Sequence, residues 1–147
     1  MKKRVLILCT GNSCRSQMAE GLWRHHGGDR WEVSSAGLEP RRLNPRAVAV
    51  MAEIGIDIAR QTSQSLDESV GQPFDLVVTV CSNAEASCPA FPNATRRLHW
   101  PFDDPPRARG SDEEVLQVYR RVRDEIENTV REWLEREPAA PQDAADL

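Results

Sequence analysis

Val5-Leu-Ile-Leu-Cys-Thr-Gly-Asn-Ser-Cys-Arg-Ser-Gln17 passes from an apolar block through a polar turn into the start of a helical pattern. From Arg4 to Cys9 the residues are nearly continuously apolar rather than alternating, which predicts a strand of a parallel sheet buried on both faces. Gly11 reaches positive φ without steric cost, and Asn12 tolerates the left-handed region better than most residues. From Arg15 onward Met18, Ala19 and Leu22 recur at helical spacing, and Gly27-Gly28 supplies a stop.

A loop that joins a strand to a helix N-terminus aims several backbone N–H groups at one spot, where the helix end adds positive potential. Arg15 offers a planar fork suited to two oxygens of a tetrahedral oxyanion. Thr10, Gly11, Asn12, Ser13, Cys14 and Arg15 therefore form a candidate oxyanion cradle, with Cys9 as the nucleophile inside it. The same field predicts a depressed pKa for Cys9. Ser16 is placed to donate to the thiolate or to stiffen the loop, and the Cys14 side chain is expected to pack. A buried cysteine beside a surface arginine would account for Cys9 and Arg15 alone. It does not account for the strand, turn, serine and helix around them.

Farther along, Trp31 to Ser35 reads as a strand closed by Gly37, and Asn44-Pro45 as a cap followed by proline at the first helical position. The next helix would use Val48, Met51 and Ala52 and end near Gly55. Thr62 to Ser69 suggests a short helix, Phe74 to Val80 a strand running into Cys81, and Arg97 to Trp100 a last short strand. Ser111 with Glu114 forms a capping box. Behind it Val115, Val118, Tyr119, Val122, Ile126, Val130 and Trp133 make one stripe on a long helix. Strands alternating with helices imply right-handed crossovers and an α/β fold whose parallel sheet is covered on both faces. Ligands of such folds bind beyond the carboxyl ends of the strands, where both Cys9 and Cys81 fall.

At 147 residues the chain fits one domain, expected over 1–137, followed by a Pro/Ala-rich tail (138–147) that has little to pack and is expected to be disordered. A net charge of −4 gives no broad basic surface, so nucleic acid is not an expected partner. The apolar stretch after Met-Lys-Lys-Arg is too short for a signal peptide, and no apolar run approaches membrane-spanning length. A cytoplasmic location is expected. There, four cysteines read as reactive or metal-binding rather than as a disulfide frame.

Residues 9–21, Cys-Thr-Gly-Asn-Ser-Cys-Arg-Ser-Gln-Met-Ala-Glu-Gly, resemble the arsenate reductases built on the low-molecular-weight protein tyrosine phosphatase fold. Ser35-Ala-Gly37, Asn44-Pro45, Asp75-Leu-Val-Val-Thr79, Cys81 with Cys88-Pro89, His99-Trp100 and Phe102-Asp-Asp-Pro105 extend the resemblance to the end of the long helix. It implies a three-layer α/β/α fold with a four-stranded parallel sheet. It also implies that Asp104, directly before proline, is a general acid. Asp103 would brace the turn.

The resemblance further implies a thiol cascade. Cys9 attacks arsenate, Cys81 attacks Cys9 and expels arsenite, and Cys88 then attacks Cys81. Thioredoxin or a similar dithiol protein would reduce the resulting Cys81–Cys88 disulfide. If the chain from Cys81 to Ala86 is partly helical, the segment 82–92 must loosen for that bond to close. Two separate buried thiols, or four zinc ligands, are the alternatives; zinc would leave Arg15 unexplained, and its usual ligand spacing is tighter.

Rival functions are a phosphotyrosine phosphatase, which needs only Cys9, Arg15 and Asp104, and a non-catalytic oxyanion or redox sensor. Pro106 stands where the phosphatases commonly carry an aromatic residue after the aspartate-proline, which favours the reductase with a weak phosphatase side activity. Some members of the resembled family hold potassium with residues matching Asn12, Glu20 and Ser35 and an aspartate after a Thr-Ser pair. Here Thr62-Ser63 is followed by Gln64, and no tightly bound cofactor is expected. His25 and His26, near a helix end, are expected at the surface.

Overall fold

The computed structural model describes residues 2–81 and 94–137; Cys88, the expected loosening of 82–92 and the expected disordered tail (138–147) all lie outside the described residues. Four strands, β1 (Lys3–Cys9), β2 (Trp31–Gly37), β3 (Phe74–Thr79) and β4 (Ala94–His99), form one sheet in the order β2-β1-β3-β4. Every pairing is parallel. The two central strands are the apolar ones, because only they have a neighbour on each side and helices or loops above and below. Val5 through Cys9 is buried, whereas β4, Ala-Thr-Arg-Arg-Leu-His, is largely exposed at its edge.

Register decides where the chemistry lies. Cys9 pairs with Gly37 and Leu8 with Thr79, so the carboxyl ends of β1, β2 and β3 finish level with one another. The turn after β1, the segment after Gly37 and Cys81 therefore meet at one edge of the sheet.

Among the described residues three helices accompany the sheet: α1 (Arg15–Gly27), α2 (Pro45–Glu53) and α3 (Asp112–Arg136). Gly28 ends α1 at φ 58, a left-handed conformation that favours glycine. The Asn44 side chain caps α2 by accepting from the N–H groups of Arg46 and Ala47. Ser111 and Glu114 form the expected capping box on α3. The stripe of α3 is buried at Val115, Tyr119, Val122, Ile126 and Val130, with Leu134 completing it; Val118 and Trp133 are only half-buried.

Two expectations shift. The inward face of α2 is Ala47, Val50 and Met51, one step out of phase with the pattern Val48, Met51 and Ala52, and α3 packs beside that helix. Thr62 to Ser69 is not a helix but an extended segment closed by a single 3-10 turn at Leu66–Glu68. Its backbone is occupied elsewhere: Gln64 C=O accepts from Gly37 N–H, and Ser65 bridges Gly37, so the segment lies beside β2.

All four tryptophans of the chain meet in one cluster although they come from four separate parts of the fold. Trp23 on α1 is fully buried, with ring centroids 5.3 Å from Trp31, 5.8 Å from Trp100 and 5.2 Å from Trp133. Such offset and edge contacts add to the burial of large apolar surface and lock α1 against β2 and α3.

Candidate active site

The loop after β1 is built by fixing its carbonyls. Cys9 C=O accepts from Leu38 N–H, Thr10 C=O from Glu39 N–H at 2.8 Å, Gly11 C=O from Arg41 N–H at 2.8 Å and Ser13 C=O from Asn44 N–H at 2.9 Å. Asn12 C=O accepts from the Gln17 amide and from Ser63 Oγ. In a trans peptide the N–H points opposite to the C=O. Holding these five carbonyls outward therefore turns the N–H groups of residues 10–14 inward, the arrangement that binds an oxyanion.

Asn12 takes the turn at φ 46, the left-handed conformation its residue type tolerates. Its side chain is buried beneath the loop rather than facing the cleft, and Ser16 Oγ donates to Asn12 Oδ1 at 2.8 Å. Of the two roles open to Ser16, the geometry selects stiffening of the loop. Gly37 allows the close approach beneath: a Cβ there would lie 2.8 Å from Thr10 O and 2.9 Å from Asn12 N.

Above the loop opens a cleft of about 790 Å³ that includes Cys9, Cys14, Arg15, Cys81 and Asp104 in its walls. Arg15 is aimed by its Nη1, which donates to Phe102 C=O at 2.9 Å, while Nη2 lies 3.6 Å from Asp104 Oδ1. Its buried Nε has no hydrogen-bond partner among the described residues. Asp104 also stands 3.6 Å from Arg107 Nε. Asp103 points outward to Arg121 at 3.1 Å.

The thiols answer differently from expectation. Cys9 and Cys81 line the same cleft, and Thr10 Oγ1 lies 3.2 Å from Cys81 Sγ. The Cys9 pKa is raised, not depressed: the neighbouring Cys81 thiol and burial both favour the protonated form, and together they outweigh the Arg15 guanidinium. Cys14 is buried as expected and is pushed up to about 12, by burial first and by the Asp104 charge second, against the pull of Arg15. None of Cys9, Cys14 and Cys81 is in a disulfide.

Arg15, Asp104, Cys9 and Cys81 thus line one cleft above the loop after β1, while Cys88 lies outside the described residues. The family model for low molecular weight phosphotyrosine protein phosphatase matches residues 4–140. The chain belongs to that family. Within it, the chain is 54% identical over 134 residues to an arsenate reductase of Halalkalibacterium halodurans, covering 91% of this chain and 96% of the relative. A solved structure, "An arsenate reductase in the phosphate binding state", superposes with a TM-score of 0.79 at 34% identity and covers 92% of this chain and 99% of that one. A thioredoxin-dependent arsenate reductase of Corynebacterium glutamicum matches with a TM-score of 0.68 at 27% identity, covering 91% of this chain and 61% of that one.

Sequence reasoning missed the carbonyl-fixing segment from Leu38 to Asn44 and the part played by Gln17. Gln17 is a fully buried amide on the inner side of α1, donating to Asn12 C=O and Thr62 C=O. A polar side chain among the apolar positions of that helix was the available signal. His25 is exposed, and His26 pairs with Glu127 of α3 at 2.9 Å. No helix among the described residues is long and apolar enough to cross a membrane.

Proposed function

We propose that the protein reduces arsenate to arsenite through a thiol cascade and is regenerated by thioredoxin or a similar dithiol protein. The observation that carries the proposal is the second thiol. A phosphatase of this family needs one cysteine in the loop, yet a second, Cys81, lines the same cleft as Cys9 and lies near enough to raise its pKa. The arsenate reductase relatives, one of them thioredoxin-dependent, support the same assignment.

Arsenate binds to the inward N–H groups of the loop and to Arg15. The Cys9 sulfur attacks arsenic; its proton and the departing hydroxyl leave together as water, with Asp104 delivering the proton. The product is a Cys9 thiol ester of arsenate. Cys81 then attacks the Cys9 sulfur. A Cys9–Cys81 bond forms, the pair of electrons in the sulfur–arsenic bond stays on arsenic, and the Cys81 proton leaves with arsenite. Cys88 attacks Cys81, returning Cys9 to the thiol and leaving a Cys81–Cys88 disulfide. An external dithiol reduces that bond and is itself oxidised.

Because Cys9 is held as a thiol by Cys81 and burial, the first step requires that its proton leave as the anion arrives. The Arg15 guanidinium and the negative arsenate oxygens supply the partners for that rearrangement. Cys9, Arg15 and Asp104 also suffice for slow hydrolysis of an aryl phosphate, a side activity in keeping with the family.

The test is loss of NADPH in the presence of arsenate, thioredoxin and thioredoxin reductase, with Cys9→Ser, Cys81→Ser and Cys88→Ser as controls. Arsenate-dependent turnover abolished by each change is the expected result. Brisk Cys9-dependent hydrolysis of an aryl phosphate with no NADPH loss, and no arsenite in a single turnover, would make the protein a phosphatase instead.

A further inference from the structure

A second cleft, of about 350 Å³, lies on the far side of the loop and includes Glu20, Arg24, Asp57, Arg60 and Gln61 in its walls. Its two carboxylates are matched by two guanidiniums. At its inner end Glu20 is only 8% exposed, and a carboxylate so buried is strongly destabilised unless paired. Ser35 Oγ donates to Glu20 Oε1, and Arg24 Nη2 lies 2.7 Å from Oε2. Among the described residues, Arg24 is the cation in contact with it.

The oxygens that the family resemblance would turn toward potassium are already engaged by protein donors. Asn12 Oδ1 accepts from Ser16, Ser35 Oγ is turned to Glu20, and both Glu20 oxygens are taken. Gln64, in the aspartate's place, contributes no charge. The residues of this chain do not fit the ion, and they hold a positive charge of their own.

We infer that the Arg24 guanidinium is a built-in counter-cation for Glu20 that positions the loop after β1, standing in for the ion that the resemblance would place there. Arg24 is exposed along its stem, and an exposed (i, i+4) pair by itself contributes little. This pair differs on two grounds: its carboxylate is buried, and its guanidinium is held on three sides. Nη2 also donates to Val33 C=O at 3.0 Å, and Nη1 donates to Gln61 Oε1 at 3.1 Å.

From there a hydrogen-bond chain reaches the active site. Gln61 Nε2 donates to the C=O and Oε1 of Gln17, and Gln17 Nε2 donates to Asn12 C=O at 2.8 Å. Asn12 holds the left-handed turn on which the inward N–H groups depend. On the other side Glu20, through Ser35, fixes the end of β2 and so Gly37, which lies against Thr10 and Asn12. Arg24 is therefore a positioning residue: it touches neither substrate nor thiol.

The experiment compares wild type, Arg24→Gln and Arg24→Lys in potassium chloride and in choline chloride of equal ionic strength, reading the thermal midpoint. Glutamine keeps a hydrogen-bond donor for Glu20 but removes the charge. Wild type and Arg24→Lys are expected to melt alike in both salts. Arg24→Gln should melt lower in choline chloride and recover in potassium chloride, a response that Glu20→Gln added to it abolishes. A kinetic arm rests on the arsenate reductase proposal: KM for arsenate should rise about three- to tenfold in Arg24→Gln with little change in kcat, and fall back with potassium. The melting arm needs no substrate, so its failure is separable from failure of that proposal. Equal stabilisation of wild type and Arg24→Gln by potassium would overturn the inference, since the ion would then bind beside Arg24. So would an Arg24→Gln protein that melts like wild type, or one whose loss potassium does not restore. The wild-type comparison decides against the inference even if a variant fails to fold.

Discussion

Cys9 and Cys81 line one cleft at the carboxyl edge of two adjacent parallel strands, one thiol at the end of β1 and the other just beyond β3. The nearness of Cys81, with burial, favours the protonated form of Cys9 at rest and brings a second sulfur to the same edge. Replacing Cys81 by alanine removes the largest cause of the raised pKa. The pH profile of Cys9 alkylation, followed on its own peptide by mass spectrometry, should move to lower pH in Cys81→Ala. An unchanged profile would mean that burial alone holds the proton.

Asp104 stands 3.6 Å from the Arg15 guanidinium and faces the cleft, so in the proposed mechanism its charge opposes anion binding while its proton assists the departing hydroxyl. Asp104→Asn should bind phosphate or arsenate at least as tightly as wild type, because a negative charge near the anion is gone. Its kcat/KM should nonetheless fall by about 10²-fold, the usual worth of a positioned acid. Isothermal titration with phosphate beside steady-state kinetics separates the two effects. Equal kinetics would remove Asp104 from the reaction.

Gly37 supports the loop from below, with room for no side chain against Thr10 O and Asn12 N. Both obstacles are backbone, so Gly37→Ala must push the loop upward or the strand down. Urea unfolding is expected to show a loss of about 1–3 kcal/mol. KM for arsenate should rise more than kcat falls, since the displaced groups are those that hold the anion. Wild-type stability and KM in this variant would contradict the described register of Gly37 against the loop.

Much of this was legible from residues 5–17 because it is local. A strand, a turn and a helix start are written within a few residues of one another, and an anion cradle follows from their sequence. The caps at Asn44 and at Ser111 with Glu114 were legible for the same reason. What depended on distant partners was not. The Cys9 pKa is decided by a thiol on another strand, the inward face of α2 by the approach of α3, and the extended course of Thr62 to Ser65 by its place beside β2. The tryptophan cluster likewise draws on residues that only the fold brings together.

Cys14 makes the stability of the fold sensitive to alkali. Its pKa is raised from an ordinary 9.0 to about 12, chiefly by burial. Above pH 9 the unfolded chain loses this proton while the folded one keeps it, so the native state binds more protons and stability falls as pH rises. The contribution is whole below pH 9 and is lost toward pH 12, at about 1.4 kcal/mol for each pH unit crossed. Cys14→Ala should flatten the decline between pH 9 and 11 in urea titrations, although it costs some packing at neutral pH. A decline as steep as wild type would show that Cys14 is not its source.

The central claim is that the Cys81 sulfur displaces arsenic from Cys9, the electron pair of the sulfur–arsenic bond leaving with arsenite, and a single turnover tests it without any reductant. Reduced Cys88→Ser protein, mixed with arsenate alone, should release one equivalent of arsenite and stop as a Cys9–Cys81 disulfide visible by peptide mass mapping. Arsenite release without that disulfide, or no arsenite while Cys9 and Cys81 both remain thiols, would contradict the account.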